Sequence, residues 1–263
     1  MQDRVREDAY GGVRTAVRCS LSAALAGLCL LLAPSASWAI SSEESAAAAP
    51  AHAVVATLSN LTTLSRWAYP QTTAAAHEFP SAHSRVVGHL HFLTVDGQAE
   101  VYLALRSYTV GRITWIEVPL PGRPNGVTGW VTASALGEMH VTHEYLRVDR
   151  ETTRVTLFRD GQPIWSAPVG VGRPSLPTPA GHFYVTEKLT TLEAPVYGPY
   201  ALGTSAYAPT LSEWPGGGIV GIHGTDEPSL IPGRPSHGCI RLRNADITQL
   251  WHMIEVGTPI DIV

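Results

Sequence analysis

The chain has 263 residues, of which 44% are hydrophobic and 15% charged, so it can bury a real core in one or two domains. Its 24 glycines and 20 prolines favour a turn-rich β protein over a helical bundle. The formal net charge is -4 and there is no basic stripe of the kind that nucleic-acid binding requires, so no nucleic-acid partner is expected.

The first 39 residues are predicted to be a secretory signal peptide. Basic residues from Arg4 to Arg18 precede an apolar stretch, 21–33, that is too short to span a bilayer. Ser37 and Ala39 supply the small residues of a cleavage site. The protein is therefore expected to be exported to the periplasm or the cell wall. An uncleaved signal would instead leave it anchored to the membrane.

Cysteine usage singles out one residue. Cys19 and Cys29 both lie within the predicted signal, so cleavage after Ala39 would leave Cys239 as the sole thiol. A lone thiol in an exported chain cannot form an internal disulfide and is a candidate reactive group. A buried cysteine can equally serve as a small hydrophobic side chain, and the count alone leaves both interpretations open.

Two segments follow the signal. Residues 40–83 are rich in Ala, Ser and Thr, and are predicted to be a linker or a poorly ordered segment with a short helix over 54–67. Residues 84–138 carry short apolar runs separated by glycine turns, which predict a small barrel or sandwich. The stretch from Trp115 to the Gly-Trp-Val triplet at 129–131 resembles the end of a bacterial SH3-like domain. The alternative is that these strands extend the sheet of the next domain.

Residues 142–263 are predicted to form a second β-rich domain. Alternating apolar and polar residues predict two strands joined at Asp160-Gly161, a hairpin signal because glycine accepts positive φ. The long Gly-, Pro- and aromatic-rich segment 197–217 is expected to pack as a lid over a functional site. Apolar residues at helical spacing after Asn244, a candidate N-cap, predict one helix.

The chemistry of the chain depends on a base for Cys239. A cysteine is a strong nucleophile only as a thiolate, so a proton acceptor must lie within hydrogen-bond reach. In an extended segment His237 would lie about 7 Å from Cys239, too far for direct contact. His223 ends a predicted strand, and pairing that strand with the one beginning at Cys239 would join the two side chains. We therefore predict His223 as the base, in an ion pair that lowers the pKa of Cys239.

A tight turn at Gly238 is expected to gather backbone donors beside the sulfur. The N–H groups of His237, Gly238 and Cys239 are the predicted oxyanion hole. The sequence shows no HExxH or paired CxxC pattern, so no metal and no cofactor are expected.

Two segments together resemble the signature of the L,D-transpeptidase catalytic domain of the YkuD type. They are His-Gly-Thr at 223–225 and Ser-His-Gly-Cys-Ile-Arg-Leu at 236–242, and the Pro-Thr-Pro-Ala-Gly run at 177–181 is similar to another family loop. The resemblance covers about 145–263. It implies a mainly β protein, in which a small SH3-like barrel precedes a β-sandwich catalytic domain with one or two short helices.

The resemblance also implies a reaction. Cys239 would attack the tetrapeptide stem of peptidoglycan, release the terminal D-Ala and form an acyl-enzyme. An amine on a neighbouring stem would then resolve it as a 3-3 cross-link. His223 would accept and later return the proton, with its ring oriented by the carbonyl of Gly224.

Other site residues are carried over from the same motif. His237, Gly238 and Ser236 would support the site and the oxyanion hole. Arg241 replaces the Asn found in part of the family, and it is expected to hold a substrate carboxylate or to support the thiolate. The partners would be peptidoglycan stem peptides at the cell wall or near the membrane.

Three other functions remain in view. An L,D-carboxypeptidase would use the same machinery with water as the acceptor. A papain-like peptidase is disfavoured because its Cys precedes its His, whereas His223 precedes Cys239. A non-catalytic wall-binding protein would use the SH3-like unit alone.

Overall fold

The computed structural model describes residues 53–212 and 215–263, and the side chains of 215 and 216 are not part of that description. The predicted signal peptide, Cys19, Cys29 and the start of the predicted linker lie outside the described residues. Within the described ranges, no helix combines the length and the hydropathy needed to cross a membrane.

The first part of the described chain forms two sheets. Strands β1, β6, β7, β8, β3 and β4 make a six-stranded sheet in that order, and β5, β2 and β9 make a three-stranded sheet. The strands are β1 (Val54–Thr57), β2 (Ser65–Ala68), β3 (Ala75–His77), β4 (Val86–His89), β5 (Tyr102–Ala104), β6 (Arg106–Val110), β7 (Ile113–Pro119), β8 (Thr128–Thr132) and β9 (His140–Thr142), with a 3₁₀ turn at Ala133–Ala135.

Residues 53–83 do not form the linker or poorly ordered segment that the sequence predicts, and 54–67 is not helical. β1 pairs with β6, β2 lies between β5 and β9, and β3 pairs with β4 and β8. Most of these partners lie far along the chain, and all four residues of β1 are exposed. The local amino-acid composition of 53–83 is therefore a poor predictor of these strands. The SH3-like assignment of 84–138 stays a prediction, because the same two sheets also include residues on either side of it.

The second part forms one ten-stranded sheet, in the order β12, β11, β10, β19, β14, β15, β16, β18, β13 and β17. Its elements are β10 (Glu144–Asp149), β11 (Arg154–Arg159), β12 (Gln162–Pro168), β13 (Gly170–Gly172), β14 (Gly181–Thr190), β15 (Tyr200–Thr204), β16 (Ile222–His223), β17 (Gly233–Ser236), β18 (Ile240–Arg241), α1 (Asn244–Met253) and β19 (Pro259–Ile262), with 3₁₀ turns at Pro195–Tyr197, Pro215–Gly218 and Pro228–Leu230.

The hairpin predicted for this part is present. Asp160 and Gly161 join β11 to β12 with φ of 49° and 75°, as the hairpin signal predicts. The mainly β architecture with a short helix is confirmed. The long strand β14 links two regions of the sheet, because its first residues pair with β19 and its later residues pair with β15.

Helix α1 covers the core of this sheet. Ile247 and Leu250, one turn apart on the same helical face, are both fully buried. They join a cluster that includes Leu146, Val148, Val155, Leu157, Val169, Val171, Val185, Leu202, Ile222, Ile240, Leu242, Ile260 and Ile262. The predicted N-cap is wrong by one position. Arg243 occupies the cap, and Asn244 is the first helical residue.

A small hydrophobic cluster joins the two parts. Trp67, Val101 and Leu103 from the first part pack with Tyr184 from β14. The hydroxyl of Tyr184 donates to the carbonyl of Val101 at 3.1 Å. The indole of Trp67 lies so close to Gly257 that a Cβ there would approach it to 2.3 Å. Residues 53–263 therefore share buried contacts across the boundary between the two parts.

Candidate active site

The site is built on the pairing of two short strands. β16 and β18 run parallel, with Ile222 opposite Ile240 and His223 opposite Arg241. The sequence predicts that these two segments pair, with the second strand beginning one residue earlier, at Cys239. Side chains alternate across a strand, so the two isoleucines point into the core, where both are fully buried. His223 and Arg241 therefore share the opposite face. Cys239 lies two positions before Arg241, so its side chain lies on the same face as those of His223 and Arg241.

The imidazole of His223 is held in one orientation. Its Nδ1 lies 2.6 Å from the carbonyl oxygen of Gly224. A carbonyl can only accept a hydrogen bond, so Nδ1 carries the proton and Nε2 is left as the basic atom. The ring edge leans over Gly221, since a Cβ built there would lie 3.8 Å from Cδ2. Gly221 lies directly before Ile222, and Cys239 lies directly before Ile240, which pairs with Ile222. The ring of His223 therefore leans toward the end of the two strands at which Cys239 lies.

Tyr197 packs against the other face of this arrangement. Its ring lies 4.9 Å from that of His223 at 83°, an edge-on contact. The turn that carries Tyr197 approaches the backbone of Gly224, because a Cβ on Gly198 would lie 2.7 Å from its Cα. Thr191 closes the turn by donating from its hydroxyl to the carbonyl of Gly198 at 2.7 Å. The sequence predicts Tyr197 only as part of a lid.

Asn244 fixes the turn that follows His223. Its side-chain oxygen accepts the N–H of Thr225 at 2.8 Å. Gly224 lies directly against this carboxamide, since a Cβ there would meet the oxygen at 2.4 Å. The side chain predicted to cap the helix instead orients the peptide that holds the imidazole.

Ser236 organises the turn before the cysteine. Its hydroxyl accepts the N–H of Gly238 at 3.1 Å and donates to the carbonyl of Cys239 at 2.5 Å. The buried hydroxyl of Thr178 donates to the carbonyl of Gly238 at 2.7 Å. The Gly238 N–H is therefore bound within the turn, which corrects its prediction as an oxyanion donor. Gly238 itself adopts a φ of 126°, a conformation that side chains rarely reach.

Arg241 brings a positive charge beside the pair. Its guanidinium donates from Nη1 to Glu227 at 3.1 Å, and its side chain is 14% exposed. The buried Nε has no hydrogen-bond partner among the described residues. Arg241 therefore keeps an unused donor at a position that faces the candidate site.

Burial decides the protonation of the pair. It raises the pKa of the Cys239 thiol, although a hydrogen bond from Gly221 and the charge of Arg241 oppose the rise. It lowers the pKa of His223 to about 4, a shift that the bond to Gly224 opposes and Arg241 reinforces. Both directions favour the neutral forms, a thiol and an imidazole, over an ion pair. The ion pair with a lowered thiol pKa stays a prediction.

His237 occupies the rim of the site. It is half-buried, and burial together with the charges of Arg173 and Arg241 lowers its pKa. A neutral His237 places no second positive charge beside the sulfur.

Two cavities meet at the pair. One has a volume of about 320 Å³ and is lined by Val196, Tyr197, Ala208, Leu211, Gly218, Ile219, Val220, His223, Ser236, His237, Gly238, Cys239 and Arg241. The other, of about 300 Å³, is lined by Asp96, Glu187, Leu189, Thr191, Tyr197, Ala201, Leu202, Gly203, Ile219, Gly221, His223 and Cys239. We call these the first and second cavities. His223 and Cys239 belong to both, so a bound molecule could approach the sulfur from either side.

In the described ranges, no three His, Cys, Asp or Glu side chains gather in a way that could hold a metal ion.

The segment that carries His223 and Cys239 is similar to known proteins. The L,D-transpeptidase catalytic domain (YkuD) matches residues 143–262. YqjB of Bacillus subtilis (strain 168), named among the L,D-transpeptidases, is 32% identical over 152 residues, which cover 55% of this chain and 73% of that protein. YkuD of the same organism is 31% identical over 108 residues, covering 41% of this chain and 58% of that relative.

Solved structures align over the same region. The catalytic domain of an E. faecium L,D-transpeptidase is 28% identical and covers 46% of this chain and 96% of that domain, with a TM-score of 0.35. The sequence matches give the identification. The chain belongs to the L,D-transpeptidase family, and His223 and Cys239 both lie within the matched segment. The resemblance found in the motif is confirmed.

Proposed function

We propose that this protein is a peptidoglycan L,D-transpeptidase, with Cys239 as nucleophile and His223 as general base. The observation that carries the proposal is that both side chains line the same two cavities within the matched segment, with His223 on β16 and Cys239 directly before its partner strand β18. The names of its relatives support the same activity.

The neutral resting pair suggests how acylation would proceed. As the sulfur attacks the carbonyl between the third and fourth stem residues, its proton would pass to Nε2 of His223. The N–H groups of Cys239 and His237 are the proposed donors to the oxyanion. The imidazolium would then protonate the leaving nitrogen, so that D-Ala departs and a thioester remains on Cys239.

Deacylation would reverse these roles. An amine of a second stem would attack the thioester and give up a proton to His223, which would return it to the sulfur as the amide forms. The second cavity supports this step, because it offers an acceptor a separate approach to the sulfur. Water in place of the amine would give the hydrolysis that defines an L,D-carboxypeptidase.

Arg241 is the proposed contact for a carboxylate of the donor stem. Its buried Nε remains free to donate, and its charge lies on the face of the sulfur. Ser236, Gly224 and Gly238 would act as framework residues, through the hydrogen bonds and close contacts described above. Stem peptides are the proposed partners, and the periplasm or cell wall is the proposed location.

The first prediction concerns acylation itself. Purified protein incubated with tetrapeptide muropeptides should gain the mass of the stem without D-Ala, on Cys239. Cross-linked dimers should then accumulate, whereas tripeptides alone would indicate a carboxypeptidase. The C239A variant should show neither adduct nor dimer, because it lacks the sulfur. Full cross-linking by C239A, or no adduct and no product with the wild type, would refute the proposal.

A further inference from the structure

The wall of the first cavity includes a loop that follows β15. Ala208, Leu211 and Gly218 of this loop line the cavity together with Cys239. The loop is closed at its base, where the N–H of Ala208 donates to the carbonyl of Gly218 at 2.8 Å. The carbonyls of Ala208, Leu211 and Gly217 belong to this loop, and loop carbonyls take donors from other backbone groups, side chains or water.

One side chain from the first part of the chain supplies those donors. Arg123 donates from Nε and Nη2 to the carbonyl of Ala208, at 3.1 and 3.0 Å. It also donates from Nη2 to Leu211 at 2.9 Å and from Nη1 to Gly217 at 2.7 Å. The guanidinium is at the surface, so each bond is weak alone. Four bonds from one rigid, planar group nevertheless fix the relative positions of three carbonyls.

Asn125 adds a second contact from the same β7–β8 loop. Its carboxamide accepts the N–H of Tyr207 at 2.9 Å and donates to the carbonyl of Tyr207 at 2.8 Å. The guanidinium of Arg123 also lies 5.0 Å from the centre of the Tyr207 ring, within cation–π range. Both donors therefore hold consecutive residues of the cavity loop, Tyr207 and Ala208.

These contacts come from outside the matched catalytic segment, 143–262. Arg123 and Asn125 belong to the turn between β7 and β8, in the first part of the chain. We propose that they are positioning residues for the active site, which set the wall of the first cavity against the donor stem. The inference rests on the proposed function for the identity of the ligand. The positioning of the loop by Arg123 and Asn125 does not depend on the proposed function.

The second prediction tests this role with R123A, R123K and N125A. R123A should raise the KM for the tetrapeptide donor about fivefold, with a smaller change in kcat, because a misplaced wall weakens binding more than chemistry. R123K should fall between R123A and the wild type, since an ammonium cannot reach three carbonyls together. Alkylation of Cys239 by iodoacetamide should stay within about twofold of the wild type, because Arg123 donates to the loop and not to Cys239, His223 or Arg241, and a small reagent needs little of the cavity wall.

Hydrogen exchange provides a readout that needs no activity. Amides of residues 205–211 should exchange faster in R123A and N125A, whereas those of β10 and β11 should not change. The matched control is R112A, which removes an exposed arginine of the same part, at the turn between β6 and β7. It should leave both KM and exchange unaltered.

The outcomes separate the two proposals. Absence of acylation in the wild type would refute the transpeptidase function, and the exchange of 205–211 would still decide whether Arg123 positions the loop. Wild-type exchange in R123A and N125A would overturn the positioning role. So would a KM change equal to that of R112A, provided that the wild type is active.

Discussion

At the scale of single residues, the unusual feature is that burial moves both Cys239 and His223, the proposed nucleophile and base, toward their neutral forms. The buried site disfavours any isolated charge, so it raises the pKa of Cys239 and lowers that of His223 to about 4. Arg241 acts in the same direction on both groups, toward thiolate and toward neutral imidazole. The proposed reaction therefore couples proton transfer to attack, and needs no ion pair beforehand.

The third prediction follows from these directions. Only the thiolate reacts with iodoacetamide, so the alkylation rate of Cys239 should still be rising above pH 8.5, the ordinary pKa of a free thiol. R241Q should move the profile to higher pH, because it removes a charge that stabilises the thiolate. The measurement is the rate of alkylation against pH.

The control for this prediction is E227Q, which removes the ion-pair partner of Arg241 and keeps the positive charge. It should not move the profile to higher pH. A rate that is already constant below pH 7 in the wild type would mean a preformed thiolate, and would contradict the neutral pair.

The sequence singles out Cys239 and His223, the proposed reacting pair, but few of the residues that orient them. Cys239 and His223 are close in a short motif, so their types and spacing suffice. Tyr197, Thr178 and Asn244 reach the site only through folding, and each uses a common side chain in a contact that spacing does not encode. Asn244 shows the difficulty, since its position before an apolar helix also fits an N-cap.

At the scale of elements, the site depends on a close approach between two loops. Gly198 and Gly224 meet with their backbones, and this contact places Tyr197 on the ring of His223. No side chain fits between them. Gly221, which directly precedes β16, tolerates a side chain better than Gly224 does, because a Cβ built on it would make only ordinary contacts.

The fourth prediction compares two glycines on either side of His223. G224A should destabilise the protein by about 2 kcal/mol, since its Cβ would meet Asn244 at 2.4 Å and Gly198 at 2.9 Å. G221A should change stability by less than about 0.5 kcal/mol, because its nearest contacts are 3.7 and 3.8 Å. Urea denaturation measures both. Equal losses in the two variants would show that the approach of Gly198 does not constrain Gly224.

Elements with local partners are the ones that the sequence predicts well. The β11–β12 hairpin follows from Asp160-Gly161, whose turn chemistry needs no distant information. β1 to β3 fail because their partners are mostly remote, and β1 buries no side chain that would produce an alternating pattern. The pairing of β16 with β18 is predicted for a different reason, because a reactive Cys239 needs a base and this pairing would bring His223 beside it.

At the scale of the whole molecule, acidic side chains are buried where the two parts meet. Glu100 of the first part and Glu187 of β14 line one cavity of about 410 Å³ and are 7% and 3% exposed. Burial raises the pKa of Glu100 to about 7, with a smaller rise from the charge of Glu187, against a hydrogen bond from the N–H of Val101. The junction is therefore sensitive to pH in a range where ordinary carboxyl groups are not.

The fifth prediction gives the sign of this sensitivity. Between its ordinary pKa near 4.3 and its folded pKa of about 7, Glu100 keeps a proton in the folded state that the unfolded chain releases. Its contribution to stability is therefore complete at low pH and is lost as pH rises toward 7. E100Q cannot ionise, so its stability relative to the wild type should increase by roughly 3 kcal/mol from pH 4 to pH 8.

Urea denaturation at several pH values measures this difference. The exposed Glu138 of the same part provides the control, because E138Q should give a nearly constant difference from the wild type. A constant difference for E100Q would show that Glu100 ionises freely in the folded protein.

The hydrogen bonds between Arg123 and the cavity loop have a consequence for how proteins of this family can diversify. The reacting groups tolerate almost no variation, since each is fixed by chemistry. The turn between β7 and β8 is under no such constraint. A substitution there could change which substrates the enzyme accepts while the catalytic motif stays intact. New specificities could thus arise by mutation in the accessory half of the gene, where a survey of conserved motifs would not look for them.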